Sequence, residues 1–514
     1  MTDVLIVGAG PTGLTLACDL ARRGVAVRVV ERAAAHHRES RGKGLLPRSL
    51  EVLADLAVAD RITAAGGPEP VLRKYFDGAP VADTDPAAGR ATEPGAVFAQ
   101  GLLIGQWQVE EVLRERLAEL GGAVELGAEL VGLVEGPHGV GAELADGRRI
   151  EARYLVGCDG GRSTVRGLLA LPFEGYGAAV ESMVCGDVTA PGLSRDFWHQ
   201  WYTADGGVLL CPLPGGDLFQ FQASPELDHE GRPLPPSLAG FQRLLDRHAR
   251  VPGLVLGDGG WISSWRVNVR MVDRLRVGRV LLAGDAAHVH PIAGGLGMNT
   301  GIQDAFNLGW KLALVIGGQA GPALLDSYQE ERLPVAAATL AVTSERLERA
   351  LAAVRRPGQG TEAGLGPATG RDYRGSSLAV GEGNAALRPG DRAPDAPCVE
   401  ARGGWPTRLF GHFTGPRFTL LGFGPGAGSA LREVGAARGE LVRTVAVGAA
   451  GAVGVRAVGG VDRELLDPDG SVRRGYGLGA DALVLVRPDH HVALIAPAAG
   501  GAGPVLDYLA GLGR

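Results

Sequence analysis

The sequence predicts a chain of mixed α/β and α+β class, in which a parallel α/β domain is interrupted by an antiparallel sheet and followed by a C-terminal unit. The length of 514 residues corresponds to about three domains of ordinary size. Residues 3–31 read as strand, glycine turn, helix and strand, and a similar segment returns only at residue 279. Between them, residues 181–223 alternate apolar and polar side chains, which is typical of antiparallel strands. We therefore expect the sheet to be inserted between two halves of one domain.

These changes of pattern divide the chain into segments. The α/β domain has two parts, and the second part adds long helices before a glycine-rich connector. The predicted boundaries are residues 1–174 for the first part of the α/β domain, 175–272 for the inserted sheet, 273–385 for the second part with the long helices, and 386–514 for the C-terminal unit. Strands of the inserted sheet are expected at residues 197–202, 208–213 and 218–223.

Composition and charge describe an ordinary globular chain. Hydrophobic residues make up 45% of it, and 57 acidic against 51 basic residues give a net charge of -6. The charges form no long run, so no nucleic-acid partner is expected. The five cysteines include no C-x-x-C pair, which predicts neither a disulfide framework nor a metal site. Because we find no export signal and no apolar stretch of membrane-spanning length, we expect a cytoplasmic protein without a membrane partner.

The first motif is the glycine turn at the end of the first strand. Gly8-x-Gly10-x-x-Gly13 follows the strand and opens a helix. The first glycine permits the tight turn, the second lets a pyrophosphate approach the backbone, and the third allows close packing of helix and strand. Glu31 ends the second strand, where a carboxylate can accept the hydroxyls of an adenosine ribose. The segment therefore predicts a Rossmann-like dinucleotide site, with NAD and FAD both open at this point.

Two later motifs place further polar groups at strand ends. Gly284-Asp285 follows an apolar strand, where the carboxylate can hold a polyol chain. The glycine-rich loop 291–301 comes next and leads into an apolar helix, whose start can offer N–H groups to an electron-rich ring edge. Asp159-Gly160 again follows an apolar strand and precedes a helix start. Together these features favour a flavin dinucleotide over NAD.

Taken in order, the three motifs resemble those of the class A flavoprotein monooxygenases, the aromatic hydroxylase family. The resemblance covers roughly residues 3–355. The rest resembles the thioredoxin-like domain of the polyketide and phenol hydroxylase branch, in Arg-Pro-Gly-Asp-Arg-Ala-Pro at 388–394 and Leu-Val-Arg-Pro-Asp at 485–489. It implies a Rossmann-like FAD-binding domain, an inserted substrate domain and a thioredoxin-like C-terminal domain. Because no C-x-x-C is present, we expect packing or assembly, and no dithiol chemistry, from the last domain.

By position, the resemblance assigns the glycine turn to the ADP part of FAD and Gly284-Asp285 to the ribityl chain. Asp159 belongs to a site shared by FAD and the nicotinamide cofactor. Arg41 resembles an arginine near the FAD phosphates and Gln106 a glutamine that opens the next helix, while an ordinary solvated role stays open for both. The predicted cofactor-binding residues are Gly8, Gly10, Pro11, Thr12, Gly13, Glu31, Arg32, Arg41, Gln106, Asp159, Gly284, Asp285, Pro291, Gly295, Gly297, Met298 and Asn299.

The resemblance implies that NADPH or NADH reduces FAD and that O2 adds at the flavin C4a carbon. The resulting hydroperoxide hydroxylates a small aromatic molecule, which we expect to be polycyclic and polyketide-like. No side chain is predicted to be catalytic, and no metal ion is expected. The inserted sheet is the expected roof over the substrate because it is rich in aromatic residues. Its candidate substrate contacts are Trp201, Phe219 and Phe221, with packing inside the sheet as the alternative.

Other functions of the same scaffold stay open. Baeyer-Villiger insertion, epoxidation and inactivation of an aromatic antibiotic would use the same cofactors. A non-catalytic flavin-binding sensor would keep the site and lack turnover. A flavin-dependent halogenase is disfavoured because the W-x-W-x-I-P motif is missing. The substrate, the position of oxygen insertion, the choice between NADPH and NADH and the existence of a homodimer are not determined by the sequence.

Overall fold

The computed structural model describes residues 1–88, 95–290, 295–354, 372–449, 460–478 and 481–513. The chain up to residue 170 begins the α/β domain. Its strands are β1 (Thr2–Val7), β2 (Val27–Glu31), β3 (Gly44–Leu45), β4 (Val71–Phe76), β5 (Ala79–Thr84), β6 (Leu102–Leu103), β7 (Val124–Leu126), β8 (Leu130–Glu135), β9 (Val140–Leu144) and β10 (Arg149–Gly157). Its helices are α1 (Pro11–Ala21), α2 (Pro47–Asp55), α3 (Ala59–Ala65), α4 (Gln106–Glu119) and α5 (Thr164–Leu168).

The rest of the chain supplies the inserted sheet, the long helices and the C-terminal unit. Up to residue 354 the elements are β11 (Glu174–Thr189), β12 (Phe197–Thr203), β13 (Gly206–Pro212), β14 (Leu218–Ala223), α6 (Leu238–Ala249), β15 (Gly257–Met271), β16 (Arg276–Val277), β17 (Val280–Leu282), β18 (His288–Val289), α7 (Leu296–Ile316) and α8 (Asp326–Val354). After residue 372 they are β19 (Pro397–Glu400), β20 (Pro406–Arg408), β21 (Phe418–Phe423), α9 (Ala427–Arg438), β22 (Val442–Ala449), β23 (Arg463–Asp467), α10 (Ser471–Tyr476), β24 (Ala482–Val486), β25 (Val492–Pro497) and α11 (Gly503–Gly511).

The α/β domain is built on an eight-stranded sheet in the order β16-β17-β10-β1-β2-β7, with the hairpin β8-β9 attached to β10. The five strands from β17 to β7 run parallel. In β1, every residue from Val4 to Val7 is buried. Such continuous apolar runs are typical of parallel strands covered on both faces. The predicted βαβ unit is confirmed, and it brings the carboxyl ends of β1, β2, β10 and β17 to one edge.

The inserted sheet has the order β18-β15-β11-β14-β13-β12-β4-β5, and its strands β12 to β14 agree with the prediction. Two of its strands, β4 and β5, come from residues 71–84, ahead of the predicted insert, and β4 pairs in parallel with β12. The sequence does not reveal β5 because all of its residues are exposed, so burial imposes no alternation on them. Helix α6 covers one face of this sheet.

The C-terminal unit contains a seven-stranded sheet in the order β20-β19-β23-β22-β21-β24-β25. Strands β23, β22 and β21 run parallel, and β24 and β25 continue antiparallel, which agrees with the predicted fold class. The unit packs on the α/β domain: the ring of Phe418 lies 5.6 Å from the ring of Trp310 in α7. Within the described ranges, no helix is both long and apolar enough to cross a membrane.

Candidate functional site

The glycine turn lies between β1 and α1 and contacts the end of β10. Gly8 has φ +104, and a Cβ there would lie 2.4 Å from the carbonyl oxygen of Cys158. Around Gly10, which caps α1, a Cβ would meet no described atom within 4 Å, so space is open in front of the helix start. Among the described residues, no side chain caps this start. The free N–H groups and the helix dipole can therefore receive an anionic group such as a pyrophosphate.

Glu31 is fixed beside this turn. Its Oε2 accepts the N–H of Ala9 and its Oε1 accepts the N–H of Ala33, both at 3.0 Å. A carboxylate oxygen can accept more than one hydrogen bond, so Glu31 keeps capacity for two ribose hydroxyls. The neighbouring Arg32 is exposed. The arrangement fits the adenosine end of a dinucleotide.

The Gly284-Asp285 turn meets the glycine turn through Thr12. A Cβ on Gly284, whose φ is +61, would lie 2.6 Å from Thr12 Oγ1, and a Cβ on Gly301 would lie 2.2 Å from it. Only glycines therefore allow α1, the turn and α7 to approach this closely. The side chain of Asp285 is exposed, and desolvation by the surrounding protein raises its pKa.

The flavin loop, residues 295–299, lies against residues 42–46. Gly295 caps α7 at φ 63, and Asn299 holds both segments by donating to the Gly44 carbonyl at 3.0 Å and accepting the Leu46 N–H at 2.8 Å. Around these bonds, Met298 Sδ lies 3.6 Å from the Cβ position of Gly42, and Gln106 Oε1 accepts the Gly42 N–H. The Cβ position of Gly297 lies 3.2 Å from the His290 ring. Pro291 is outside the described residues.

Two of the predicted cofactor-binding residues, Asp159 and Arg41, have side chains that bond to other residues of the chain. Asp159 accepts hydrogen bonds from the Ser163 hydroxyl at 2.6 Å and from the Thr164 and Val165 N–H groups at 2.7 and 3.1 Å. It therefore caps α5. The exposed Arg41 pairs with Glu39 at 2.8 Å. Their roles toward a cofactor stay predictions.

Taken together, the strand-end residues fit FAD. The open helix start, Glu31 and Asp285 stay the predicted contacts of the pyrophosphate, the adenosine ribose and the ribityl chain. Gly284 and Gly301 both lie close to Thr12, which follows the glycine turn. The start of α7 in the flavin loop stays the predicted contact of the ring.

The three candidate substrate contacts lie on the face of the inserted sheet that α6 covers. Phe221 stacks on Phe241 of α6 with ring centres 4.2 Å apart, and Trp201 stacks on Tyr75 at 5.0 Å. Trp201, Phe219 and Phe221 are at most 1% exposed. Their placement in this hydrophobic core agrees with the packing alternative, and we therefore do not propose them as substrate contacts.

The opposite face of the sheet is polar and faces the α/β domain. We call it the polar face; cross-strand pairing assigns to it the buried residues Lys74, Cys185, Asp187, Gln200, Cys211, Gln220 and Gln222. Residues 40–43 of the α/β domain lie against it. The ammonium of Lys43 donates to Gln220 Oε1, and the Gln220 amide donates to the Ser40 carbonyl. The segment that flanks the flavin loop thus also touches the sheet.

Asp187 has an unused acceptor at this contact. Its Oδ2 accepts the Ser40 N–H at 3.2 Å, while its buried Oδ1 has no hydrogen-bond partner among the described residues. Burial raises the pKa of Asp187 to about 6, against the lowering effects of Ser40 and Lys43. Lys43 Nζ lies 4.4 Å from the centre of the Trp198 ring, and burial lowers its pKa. The site therefore combines a cation with a carboxyl group that titrates near neutrality.

Sequence reasoning missed Lys43, Asp187 and Gln220, although composition carries a signal. Lys43, Lys74 and Lys311 are the only lysines among 51 basic residues. Lys74 and Lys311 are buried and Lys43 is half-buried. An ammonium is a compact charge, whereas a guanidinium is a wide planar fork. A chain that otherwise uses arginine thus places lysine at internal polar sites.

Comparisons with known proteins show which proteins the chain is similar to. Residues 1–343 match the family described as FAD binding domain. A flavin-dependent monooxygenase of Mycobacteroides abscessus is 40% identical over 99% of this chain and 99% of its own. A 6-methylpretetramide 4-monooxygenase of Streptomyces rimosus is 35% identical over 96% of this chain and 90% of its own. Among solved structures, a complex of aklavinone-11 hydroxylase with FAD and aklavinone has a TM-score of 0.83 and 30% identity, covering 99% of this chain and 98% of that chain.

Proposed function

The chain belongs to the FAD-dependent monooxygenases, and from this premise we propose that it hydroxylates a polycyclic aromatic molecule that carries a phenolic hydroxyl group. FAD is its cofactor, with NADPH or NADH as the reductant. The relatives named for 6-methylpretetramide and aklavinone support a polycyclic substrate, and O2 is the proposed oxygen donor. The observation that carries the proposal is the buried contact between the polar face and the segment beside the flavin loop.

When bound, FAD supplies the redox chemistry, and the chain's own residues hold it. The start of α1 binds the pyrophosphate, Glu31 the adenosine ribose and Asp285 the ribityl chain. Residues 42–46 and the flavin loop, which adjoin through Asn299, would hold the ring. Arg32, Arg41, Gln106, Asp159 and Pro291 stay predicted cofactor contacts.

Asp187 and Lys43 give the site its preference for a phenol. Asp187 Oδ1 is free to accept the proton of a phenolic hydroxyl, and the Lys43 ammonium stabilises the resulting phenolate. A phenolate ring is richer in electrons, which favours attack on an electrophilic oxygen atom. A base is most effective when its pKa lies near the working pH, and burial brings Asp187 into that range.

A substrate comparison tests the proposal. The FAD-loaded enzyme is mixed with NADPH or NADH and with either 1,8-dihydroxyanthraquinone or unsubstituted anthraquinone. We expect the dihydroxy compound to stimulate NAD(P)H oxidation and to yield a ring-hydroxylated product by NMR, and the unsubstituted one to do neither. Equal stimulation by both compounds would contradict phenol recognition.

The same measurement separates the alternatives. A ring-expanded lactone or an epoxide in the NMR spectrum would favour Baeyer-Villiger or epoxidising chemistry. An FAD-loaded protein whose NAD(P)H oxidation responds to no hydroxylated polycyclic compound would favour a flavin-binding sensor.

The polar-face assignment has its own test in the visible spectrum of the bound ligand. Hydroxyanthraquinones change colour when a phenol loses its proton, so a pH titration reports the pKa of the bound phenol. We expect Lys43→Met to raise that pKa, because the phenolate loses a neighbouring cation, and Asp187→Asn to lower it, because the phenolate loses a neighbouring anion. Asp205→Asn, at an exposed turn between β12 and β13, serves as the matched control and should leave it unchanged.

A further inference from the structure

A group of buried charges lies where α7, α8 and the loop after β24 meet. Every member is at most 2% exposed, and acids and cations are equal in number. We call this group the ionic junction; it consists of Asp304, Lys311, Glu331, Arg332, Arg487 and Asp489. It includes a sequence feature that the proposed function leaves unused, the Arg-Pro-Asp run at 487–489.

One side of the ionic junction belongs to the C-terminal unit. Both guanidinium NH groups of Arg487 donate to Glu331 of α8, which also accepts the Lys311 ammonium at 2.7 Å. Asp489 accepts the indole N–H of Trp310 at 3.2 Å. Removing one member of such a group leaves an uncompensated buried charge. The C-terminal unit is therefore bound to α7 and α8 through charges that depend on each other.

The other side of the ionic junction reaches the Gly284-Asp285 turn, which we call the flavin turn. Arg332 donates from Nε to Asp304 Oδ1 at 2.7 Å. Through its other oxygen, Asp304 Oδ2, the same carboxylate accepts the backbone N–H of Gly284 at 3.0 Å and lies 2.7 Å from His288 Nε2. Gly284 is the residue directly before Asp285. The position of Asp285 thus depends on the orientation of the Asp304 carboxylate, which Arg332 holds.

Tyr373 connects Arg332 to the C-terminal unit. Its hydroxyl accepts a hydrogen bond from Arg332 at 3.0 Å, and its ring centre lies 4.1 Å from that of His491. Its backbone N–H donates to the Gly390 carbonyl at 2.7 Å. Gly390 has φ +90, and a Cβ there would lie 2.5 Å from the backbone nitrogen of Arg374, so only glycine permits this contact. Tyr373 is therefore held by C-terminal residues while it orients Arg332.

We propose that Arg332 and Tyr373 are positioning residues for the flavin: through Asp304 they hold the Gly284-Asp285 turn, so that the C-terminal unit is part of the support of the cofactor site. The contacts form one buried path from residues 390 and 491 to the turn. The proposal rests on the placement of the ribityl chain at Asp285 and of the ADP part at the glycine turn. It assigns the C-terminal unit a role in cofactor binding, beyond the packing or assembly that the sequence predicts.

Binding of FAD and of ADP distinguishes a positioning role of Arg332 and Tyr373 from a general contribution of these residues to stability. FAD uses both the glycine turn and the Gly284-Asp285 turn, whereas ADP uses the glycine turn alone. A variant that only weakens the fold affects both ligands, and a variant that displaces the Gly284-Asp285 turn affects FAD selectively. The ratio of the two dissociation constants is therefore the informative quantity.

The experiment uses full-length apoprotein prepared from the holoenzyme and checked by its melting curve. The dissociation constants of FAD and ADP are measured for the wild type, Arg332→Lys, Tyr373→Phe and Tyr508→Phe. Tyr508 is the matched control, since its buried hydroxyl donates to the Leu378 carbonyl at 3.2 Å and does not belong to the path.

We expect FAD to bind about tenfold more weakly to Arg332→Lys and about threefold more weakly to Tyr373→Phe, the scale of a bond involving a charged donor. ADP binding should stay unchanged throughout, and Tyr508→Phe should match the wild type.

Two results would overturn the proposal: an unchanged FAD constant in Arg332→Lys, or losses of FAD and ADP in equal proportion. Glu31→Ala tests the underlying placement separately, because it should weaken both ligands. If Glu31→Ala leaves ADP binding intact, the assumed placement of the cofactor is wrong, irrespective of Arg332.

Discussion

The ionic junction and the polar face are both buried and both charged, but their charges are partnered differently. In the junction, Asp304 meets Arg332 and Glu331 meets Lys311, each at 2.7 Å. Burial opposes ionisation of Asp304, yet Arg332 and His288 outweigh it and lower its pKa to about 2. At the polar face burial prevails, and it raises the pKa of Asp187 to about 6. Asp304 therefore stays ionised at neutral pH, whereas Asp187 changes its protonation state near pH 6.

This difference indicates that the ionic junction supports the structure, whereas the polar face can take part in proton transfer. A carboxylate whose oxygens all meet donors has little capacity left for a substrate proton, so the junction is suited to holding α7 and the flavin turn. Asp187 Oδ1 meets no donor among the described residues, which leaves it available. Groups that combine burial with a perturbed pKa in a site are candidates for function. The comparison also predicts opposite signs for the effects of neutralising a carboxylate in the two regions.

The largest effect is expected from neutralising Glu331 in the ionic junction. Glu331→Gln leaves Arg487 and Lys311 with too little negative charge, and we expect the free energy of unfolding to fall by about 3 to 5 kcal/mol. Chemical denaturation at pH 7 measures this loss. Glu226→Gln is the control: Glu226 pairs at 2.6 Å with Arg243, whose side chain is 57% exposed, and its loss should cost about 1 kcal/mol or less. Equal losses in both variants would show that the junction contributes no more than a surface pair.

A second, smaller effect is expected from substitutions at the neighbouring positions 220 and 221, whose side chains lie on opposite faces of the inserted sheet. Phe221→Ala removes a ring from the core beside Phe241 and should cost about 3 kcal/mol of stability, with the KM of the folded enzyme for 1,8-dihydroxyanthraquinone unchanged. Gln220→Ala should cost less stability and raise that KM, because Lys43 loses its acceptor. Denaturation curves and steady-state kinetics of both variants give the comparison. If Phe221→Ala raises KM and Gln220→Ala does not, the assignment of the faces is reversed.

The motif-bearing half of the site could be predicted because its information is local. Gly8, Glu31 and Gly284 each stand at the end of an apolar strand, and parallel strands bring their carboxyl ends to one edge whatever the rest of the chain does. The fold class followed from the same patterns together with the change to two-residue alternation. The residue roles toward FAD stay predictions that the binding experiments above test.

The faces of the inserted sheet and the ionic junction could not be predicted, because they depend on contacts between distant segments that no local sequence pattern encodes. Alternation placed Phe219 and Phe221 on one face, but the position of α6 decides that this face is the core. The ionic junction joins α7 to a loop more than 170 residues later, as in the hydrogen bond between Trp310 and Asp489. The partner of a buried charge is visible only after folding. The rarity of lysine was the one compositional sign of such positions.

The smallest effect, opposite in sign, is expected from neutralising Asp187. Its pKa in the folded protein, about 6, lies above the value of about 3.9 for an unfolded aspartate, so ionisation is less favourable in the folded state. The wild type therefore loses stability as pH rises from about 4 to about 6, and the cost is fully present above that range. Glu39 and Lys43 are the titratable neighbours whose charges adjust this window. Asp187→Asn removes the cost, so we expect it to be about 1 to 3 kcal/mol more stable than the wild type at pH 8, with the gain disappearing near pH 4.

Denaturation of both proteins across this range measures the difference, and turnover of 1,8-dihydroxyanthraquinone by the stabilised variant should fall. A variant that is less stable than the wild type at pH 8 would mean that Asp187 is a paired structural acid like those of the ionic junction, and the distinction between the two regions would fail at its central residue.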